Sequence, residues 1–419
     1  MRRFLNISFA HHRRWQLALV LMATFFVGYL DRYNITFALP LMALEFGWDE
    51  AQTQFYGALF MGSFFAAYGL ANMLLTPFAV RLGPRRSLLI MVCLWSVFTA
   101  LGAWASQFML LLVVTRVLLG LSEGVHVPMM SQLTRTWFPL HERARANSIF
   151  VSGLFLAVLL APLMLVPLMA ALGWRWGFVL VALFGLVVSL PLVWRVVHDT
   201  PEQSPSVKQD ERDFIAVARA REAADAGIDI DWRALIRLPR FLLLILIGIT
   251  NNVVALGFSS WLPTYFTRTR GIPFEDIALL VAIPYFFSIL GIGLWAVLGD
   301  RFNIRAGLGA VGYAGAAVIL YFALNAASIT AVLVLFSAGI FMVSAYNACE
   351  FALVQRIVPV QKTAAAMGLY NGIATLVGGG LGPLIISPMV AVNGPGWIIS
   401  VIALVNAGLL WLAFRVIRY

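Results

Sequence analysis

Three side chains that are rare in membrane helices stand close together in one long apolar segment: Arg116, Glu123 and His126. Arg116 and Glu123 are seven residues apart, or two helical turns, so they lie on one helix face, with His126 near it. A charge at the centre of a membrane helix costs roughly 2.5–3.5 kcal/mol on insertion scales, so such charges usually face a cavity. The pattern indicates a transport site, and a structural ion pair between helices is the alternative.

A second charged pair, Asp31 and Arg32, lies in another apolar segment. At 1.5 Å per residue, Asp31 and Arg116 are both ~12–13 Å from the predicted outer ends of their helices, and Glu123 is ~10 Å deeper than Arg116. We therefore expect Asp31 to pair with Arg116. Two arginines near one cavity suit a carboxylate substrate, because a guanidinium binds a carboxylate in a planar fork. Desolvated carboxylates can carry protons.

The composition is that of a polytopic membrane protein. The 419 residues are 61% hydrophobic and only 11% charged, and the mean hydropathy is +0.89. A soluble protein of this length needs a more highly charged surface. The two cysteines, Cys93 and Cys349, both lie in apolar segments, which indicates neither a disulfide framework nor a metal site. We expect no metal and no cofactor.

The apolar segments predict an all-α membrane protein with twelve transmembrane helices, since each span needs ~20 apolar residues. The predicted spans are 16–40, 54–80, 86–106, 108–137, 142–169, 174–197, 241–266, 276–299, 305–325, 328–356, 361–390 and 396–416. One long polar stretch, 198–240, is predicted to be a cytoplasmic linker between two six-helix halves, 1–197 and 241–419.

The two halves are predicted to be related by pseudo-symmetry. Arg81 and Arg301 occupy similar short motifs at an offset of 220 residues, and other residues repeat at the same offset. The offset places Asp31 on Asn251, so membrane-embedded charge is expected in the first half only. Internal repeats with a site near the midplane are typical of secondary transporters.

Membrane topology explains the formal net charge of +10. Most arginines lie at segment ends and loops on one predicted side, which fits the positive-inside rule and places both termini in the cytoplasm. We therefore expect no nucleic-acid partner. The predicted location is the inner cell membrane, with several spans embedded in the lipid bilayer.

Three motifs resemble those of the anion:cation symporters of the major facilitator superfamily. They are residues 28–34 (GYLDRYN), the run from Arg116 through Glu123 to Pro128, and residues 137–143 (WFPLHER). That family includes bacterial galactonate and hexuronate transporters and animal vesicular glutamate and sialic acid transporters. The resemblance covers the whole chain and implies the major facilitator fold and proton-coupled uptake of a small organic anion.

The resemblance also implies roles for the embedded charges. Arg32 would bind the substrate carboxylate. Arg116 would be the switching partner of Asp31 and Glu123, and these two carboxylates would couple protons to transport.

Three further residues complete the predicted substrate site. Tyr68 matches a cavity tyrosine of the family, and Asn371 is a cavity candidate in the eleventh helix. His126 stands where the family has a small or apolar residue. A histidine there can bind an anion or relay protons, and packing between helices is the alternative.

Departures from the family pattern bear on the substrate. Leu154, Leu376 and Met130 stand at or near positions where sugar-acid transporters carry an amide side chain. Fewer hydrogen-bonding amides predict a substrate less hydroxylated than a sugar acid. On the cytoplasmic side, Asp300 and Glu350 are predicted to belong to a structural clamp between helix ends.

Two other classes of function compete with uptake. A proton-driven antiporter that exports drugs or metabolites is the alternative, but an exporter of apolar cations would need acidic residues without arginines at the same depth. A membrane sensor or intramembrane enzyme is a third class, and no HExxH or GxSxG motif is present. The chain is therefore predicted not to be an enzyme. Its expected partners are the anion and protons, and it is expected to be a monomer.

Overall fold

The computed structural model describes residues 13–105, 108–225, 237–264, 266, 270–272, 277–358, 362–379 and 396–417. Within these ranges the regular structure is helical and contains no strand, which confirms the predicted all-α class. Nine helices of the described ranges are long and apolar enough to cross a membrane. The chain is therefore a multi-pass membrane protein. Most of the outer part of the predicted span 361–390 lies outside the described residues.

The first half is a series of helices that matches the predicted spans in order. Its helices are α1 (Arg13–Phe46), α2 (Glu50–Leu74), α3 (Thr76–Leu82), α4 (Pro84–Trp104), α5 (Met109–Glu123), α6 (His126–Trp137), α7 (Arg143–Leu172), α8 (Trp174–Phe184) and α9 (Leu190–Val196). A π-helical segment, Gly185–Ser189, joins α8 and α9.

The linker and the second half follow. The linker contains α10 (Gln209–Asp225). The second half contains α11 (Pro239–Thr264), α12 (Ile277–Phe302), α13 (Arg305–Asn325), α14 (Ile329–Asn347), α15 (Glu350–Ile357), α16 (Thr363–Ile373) and α17 (Gly396–Val416). A π-helical segment, Ala374–Gly379, follows α16.

Three predicted spans are interrupted by a turn, so each forms two helices: α2 with α3, α5 with α6, and α14 with α15. Pro77 and Pro128 lie in the first turns of α3 and α6. Proline has no N–H and is tolerated in a first turn, where that donor would be unpaired anyway. Two of the interruptions adjoin a carboxylate, because Glu123 ends α5 and Glu350 begins α15.

The packing of the helices defines two bundles that meet along a long junction. In the first half α1 packs against α7 and α8, and α2 packs against α5. In the second half α13 packs against α14 and α17, and α12 packs against α14. The halves meet where α7 contacts α12 and where α16 contacts α2 and α6.

One end of the bundle carries a group of buried or half-buried arginines, and we call it the basic end. Its members are Arg14, Arg135, Arg143, Arg145 and Arg305. The linker helix α10 lies at this end, because Glu211 of α10 bonds to Arg14 at 2.9 Å. By the positive-inside rule, the basic end is the predicted cytoplasmic side.

Candidate transport site

Arg32 is held between two tyrosine rings. Its Cζ atom lies 4.3 Å from the ring centroid of Tyr29 and 4.4 Å from that of Tyr68. Tyr29 is one turn earlier on α1, while Tyr68 comes from α2. An arginine over an aromatic face gains about 2 kcal/mol when the pair is desolvated. Both rings contact the guanidinium, while its Nε is directed at a carboxylate.

Glu123 is the anionic partner of Arg32. The Arg32 Nε donates a hydrogen bond to Glu123 Oε2 at 2.9 Å. The Glu123 side chain is fully buried, and its Oε1 has no hydrogen-bond partner among the described residues. The sequence predicted Arg116 as the partner of Glu123. The structure gives this place to Arg32, because α1 turns Arg32 toward α2 and the end of α5.

Asp31 points away from Arg32 into the interior of the first half, as expected for adjacent helical residues about 100° apart. Thr99 of α4 donates a hydrogen bond to Asp31 Oδ2. The Arg116 Cζ lies 5.1 Å from the ring centroid of Phe178 of α8. Asp31 and Arg116 act on each other electrostatically, but the described part of the chain shows no Asp31–Arg116 ion pair within 4.0 Å. The predicted direct pair is therefore corrected to two neighbouring charges: Asp31 bonds to Thr99, and Arg116 lies against the ring of Phe178.

His126 is fully buried inside the first half. Its ring lies 5.6 Å from Phe25 and 5.4 Å from Trp95, centroid to centroid. Its Nε2 is 3.1 Å from the Thr24 hydroxyl oxygen, and that hydroxyl donates its own proton to the Leu21 carbonyl. With the Thr24 proton directed at the Leu21 carbonyl, His126 Nε2 is assigned as the donor of this pair, and Nδ1 has no hydrogen-bond partner among the described residues. These contacts favour packing, which the sequence left open beside anion binding.

Asn371 connects the Arg32 site to the second half. Its amide nitrogen donates to the Tyr68 hydroxyl at 3.2 Å and to the side-chain oxygen of Asn72 at 3.0 Å. The structure thus brings together Arg32, Tyr68, Glu123 and Asn371 from four helices of both halves. Asn72, which sequence reasoning missed, lies one turn after Tyr68 on α2.

The second half contains an embedded carboxylate of its own, contrary to the expectation that only the first half does. The Tyr370 hydroxyl donates to Glu350 Oε1 at 2.6 Å, and the Tyr346 hydroxyl lies 2.8 Å from that of Tyr370. Glu350 therefore bonds within the second half and does not join the predicted clamp. The repeat offset did not predict this carboxylate, because it aligns Glu350 with the apolar Met130 of the first half.

The predicted clamp at the basic end involves Asp300. Its Oδ2 accepts a hydrogen bond from Arg145 Nε of the first half at 2.8 Å. Its Oδ1 accepts one from Arg305 Nη2 at 3.0 Å. Two residues further along α7, Asn147 donates to Gln355 of α15 at 3.1 Å. Contacts between the halves close this end of the bundle.

The linker helix α10 holds the basic end as well. Glu222 accepts hydrogen bonds from both terminal nitrogens of Arg143, at 2.7 and 2.5 Å, and lies 2.9 Å from Arg135. Burial opposes ionisation of Glu222, but the bonds from Arg143 and the charges of Arg143 and Arg135 keep its pKa below the usual range. The sequence predicted a cytoplasmic linker here, without these ion pairs.

No group of three or more His, Cys, Asp and Glu side chains suited to a metal ion occurs in the described ranges. The site is thus built from arginine, tyrosine, amide and carboxylate groups at the junction of two helical bundles. Such a site can bind an anion and exchange protons.

Comparison with known proteins decides the family. The sequence model of the family described as the Major Facilitator Superfamily matches residues 21–383 and 267–418 of this chain. The chain belongs to the major facilitator superfamily. A solved structure of a proton:xylose symporter of this superfamily, bound to 6-bromo-6-deoxy-D-glucose, is similar in fold. It has a TM-score of 0.75 at 18% identity, and the match covers 95% of each chain.

Curated relatives within the superfamily are anion transporters. The probable sulfoacetate transporter of Cupriavidus necator is 29% identical over 350 residues, which is 80% of this chain and 78% of that protein. The D-galactonate transporter of Escherichia coli is 24% identical over 429 residues, which is 96% of each chain. These relatives are transporters, in line with the prediction that this major facilitator protein is not an enzyme.

Proposed function

We propose that this protein is a secondary active transporter that takes up a small organic anion together with protons by alternating access. The observation that carries the proposal is Arg32, a buried guanidinium fixed between two tyrosine rings at the junction of the halves. The relatives' transport of sulfoacetate and D-galactonate supports an organic anion as the substrate.

The N–H groups along the edge of the Arg32 guanidinium are the proposed anion-binding donors. A fixed, planar guanidinium binds a carboxylate or sulfonate through parallel hydrogen bonds. Tyr68 stacks on Arg32 and also accepts a hydrogen bond from Asn371 of the second half. An anion on Arg32 therefore adds contacts to a group that already joins both halves.

Proton coupling follows from competition for Arg32. Glu123 holds the guanidinium while it is ionised. Protonation of Glu123 removes its negative charge and frees Arg32 for the substrate anion, so the site stays near neutral. A low-dielectric site favours such an exchange over an unpaired charge. Proton and anion binding are then mutually favourable, and linkage makes the effect reciprocal. Asp31, beside Arg116, is the second proposed proton carrier.

The substrate is proposed to be less hydroxylated than a sugar acid. Leu154 and Leu376 are half-buried apolar side chains at positions near the junction, so they offer no hydrogen bond to a hydroxyl group. Met130 is fully buried. Tyr68 and Asn371 are the proposed polar contacts of the anion besides Arg32.

The proposed arrangement in the cell follows the sequence. The halves 1–197 and 241–419, joined by the linker 198–240, are proposed to rock against each other as a monomer in the inner membrane. Both termini are proposed to be cytoplasmic, together with the basic end and α10.

Uptake into proteoliposomes tests the proposal. Purified protein is reconstituted, and an inward proton gradient is imposed with sulfoacetate, D-galactonate and unsubstituted short carboxylates outside. We expect accumulation of at least one anion, collapse of accumulation by a protonophore, and its loss in Arg32→Ala. The short or sulfonated anions should accumulate to a higher level than D-galactonate.

Two outcomes would contradict the proposal. Anion efflux driven by an inward proton gradient would indicate the antiporter alternative. Equal accumulation with and without the protonophore would show that protons do not drive transport.

A further inference from the structure

We propose that Glu350 is a proton-binding site in the second half, separate from the Arg32 site and independent of the identity of the anion. It begins α15 at the interruption that follows α14. The corresponding interruption of the first half adjoins Glu123. Each bundle thus carries one carboxylate at a break in an otherwise membrane-spanning helix.

Glu350 is set in a group of tyrosines. Tyr370 of α16 donates its hydroxyl hydrogen to Glu350 Oε1 at 2.6 Å. Tyr346 of α14 lies 2.8 Å from Tyr370, hydroxyl oxygen to hydroxyl oxygen. Both tyrosines are fully buried. A chain of hydroxyl groups that ends on a carboxylate is suited to hold a proton and to pass it between oxygens.

Charge balance favours a proton at this site. In the described residues, no basic nitrogen lies within 4.0 Å of Glu350. The other titratable groups that act in this region are Tyr313 of α13 and Cys349, both fully buried. Glu350 itself is half-buried, and a carboxylate that is partly removed from water and has no cation beside it loses hydration without compensation, which favours its neutral form.

Gly248 of α11 leaves room for the tyrosine that bonds to Glu350. A Cβ atom at Gly248 would lie only 2.6 Å from the Tyr370 hydroxyl oxygen. The position of Tyr370 therefore depends on Gly248.

Neighbouring residues of α16 connect this site to the Arg32 site. Tyr370 bonds to Glu350, while Asn371 bonds to Tyr68 and Asn72 of the first half. A π-helical segment, Ala374–Gly379, begins three residues after Asn371, and such segments are frequent at functional sites. Proton occupancy of Glu350 is thus placed to change how α16 fits against α2 while the bundle opens and closes.

Infrared difference spectroscopy on the full-length protein tests the inference without a substrate. The C=O band of a protonated carboxyl group is followed as the pH is raised, in H2O and in D2O. We expect the double variant Asp31→Asn/Glu123→Gln to retain one titrating band that Glu350→Gln removes. Tyr370→Phe, which keeps the carboxyl group and deletes its hydrogen bond, should shift the same band.

Two results would contradict the assignment of a proton-binding site to Glu350. If the double variant shows no C=O band of a buried protonated carboxyl group at any pH of the titration, Glu350 binds no proton in this range, and this holds even if Glu350→Gln fails to fold. If Glu350→Gln leaves the residual band unchanged, another group holds that proton, and the assignment to Glu350 is wrong. Neither result depends on anion uptake, so the proposed function stands or falls separately.

Discussion

Arg32 and Arg116 are both buried arginines at similar depth, yet their surroundings differ. Arg32 faces the junction between the bundles and touches Tyr29, Tyr68 and Glu123. Arg116 lies inside the first half against Phe178. Residue spacing along a helix gives depth and relative azimuth, so both were predicted as site residues. It does not give the rotation of one helix against the next, and that rotation decides which arginine reaches the junction.

Replacement of Arg32 tests the importance of the planar guanidinium. Arg32→Lys keeps the charge but has no flat fork to stack between two rings and bind an anion through parallel hydrogen bonds. We expect anion binding about 10- to 100-fold weaker, since a hydrogen bond to a charged group contributes about 1.5–3 kcal/mol. Calorimetric titration with the anion found active in uptake measures the loss. Arg116→Lys is the matched control, and equal losses in both variants would contradict the assignment of Arg32 as the anion contact.

Glu123 and Asp31 are predicted to differ in their effect on exchange. Glu123→Gln resembles a permanently protonated side chain, so Arg32 is free and anion exchange without a gradient should persist, while accumulation driven by protons is lost. Asp31→Asn removes the negative charge beside Arg116, and we expect slower exchange as well as lost accumulation. Counterflow and gradient-driven uptake separate the two effects. Accumulation at the wild-type level in Glu123→Gln would remove Glu123 from the coupling step.

At the scale of helices, sequence periodicity and length predicted where apolar spans lie, but not where they break. The predicted span 108–137 is two helices, α5 and α6, which end and begin around Gly124. Such a break depends on close contacts with a neighbouring helix. A Cβ atom at Gly124 would lie 2.4 Å from the Cβ of Ala71 on α2. This proximity is a property of the folded pair of helices and is absent from the pattern of one segment.

The close approach of α2 and α5 makes Gly120 sensitive to substitution. A Cβ atom there would lie 2.4 Å from the backbone oxygen of Phe64 and 3.0 Å from the backbone nitrogen of Tyr68. Gly120→Ala should therefore push α2 away and displace Tyr68 from Arg32. We expect destabilisation of about 1–3 kcal/mol, measured as a lower unfolding temperature in detergent. Gly62→Ala on α2, where a Cβ atom meets nothing within 4 Å, is the control.

The linker helix α10 should stabilise the basic end in a pH-dependent way. The pKa of Glu222 lies below its usual range, so its contribution is fully present above the ordinary pKa of glutamate, about 4.3. The contribution is lost as the pH falls through the lowered pKa. Glu222→Gln should lower stability by about 1.5–3 kcal/mol at neutral pH, and the difference from wild type should shrink in acid.

Thermal unfolding of both proteins between neutral and acid pH measures this effect. Glu202→Gln offers a comparison in the same linker, because its pair with Arg219 is largely solvent-exposed and exposed pairs contribute about 0–1 kcal/mol. A Glu222→Gln difference that stays constant down to strongly acid pH would show that the ion pairs with Arg135 and Arg143 do not cause it.

At the scale of the molecule, the two halves share a helical plan but differ in their polar centres. The first half has Arg32 with Glu123 and Asp31 near Arg116, while the second half has Glu350 with its tyrosines. The plan could be predicted from the repeat offset, because apolar lengths and loop arginines are preserved. The second polar centre could not, because Glu350 and Tyr370 come from different helices and have no charged counterpart at the offset positions.

The contacts between the halves at the basic end predict how the resting state responds to loss of the clamp. Asp300 bonds to Arg145 of the first half and to Arg305 of its own half. Ser148, one turn along α7, is buried and donates to the Ala348 carbonyl across the junction at 3.2 Å.

In a Cys93→Ser/Cys349→Ala background, the thiol introduced by Ser148→Cys should react slowly with a soluble maleimide while this end is closed. Adding Asp300→Asn should speed labelling about tenfold, since a loss of about 1.4 kcal/mol changes an equilibrium by that factor. Glu45→Gln, which removes a pair with Arg175 near the opposite end and within one half, should leave the rate unchanged. Faster labelling in Glu45→Gln, or no change in Asp300→Asn, would show that the Asp300 clamp does not hold the basic end closed.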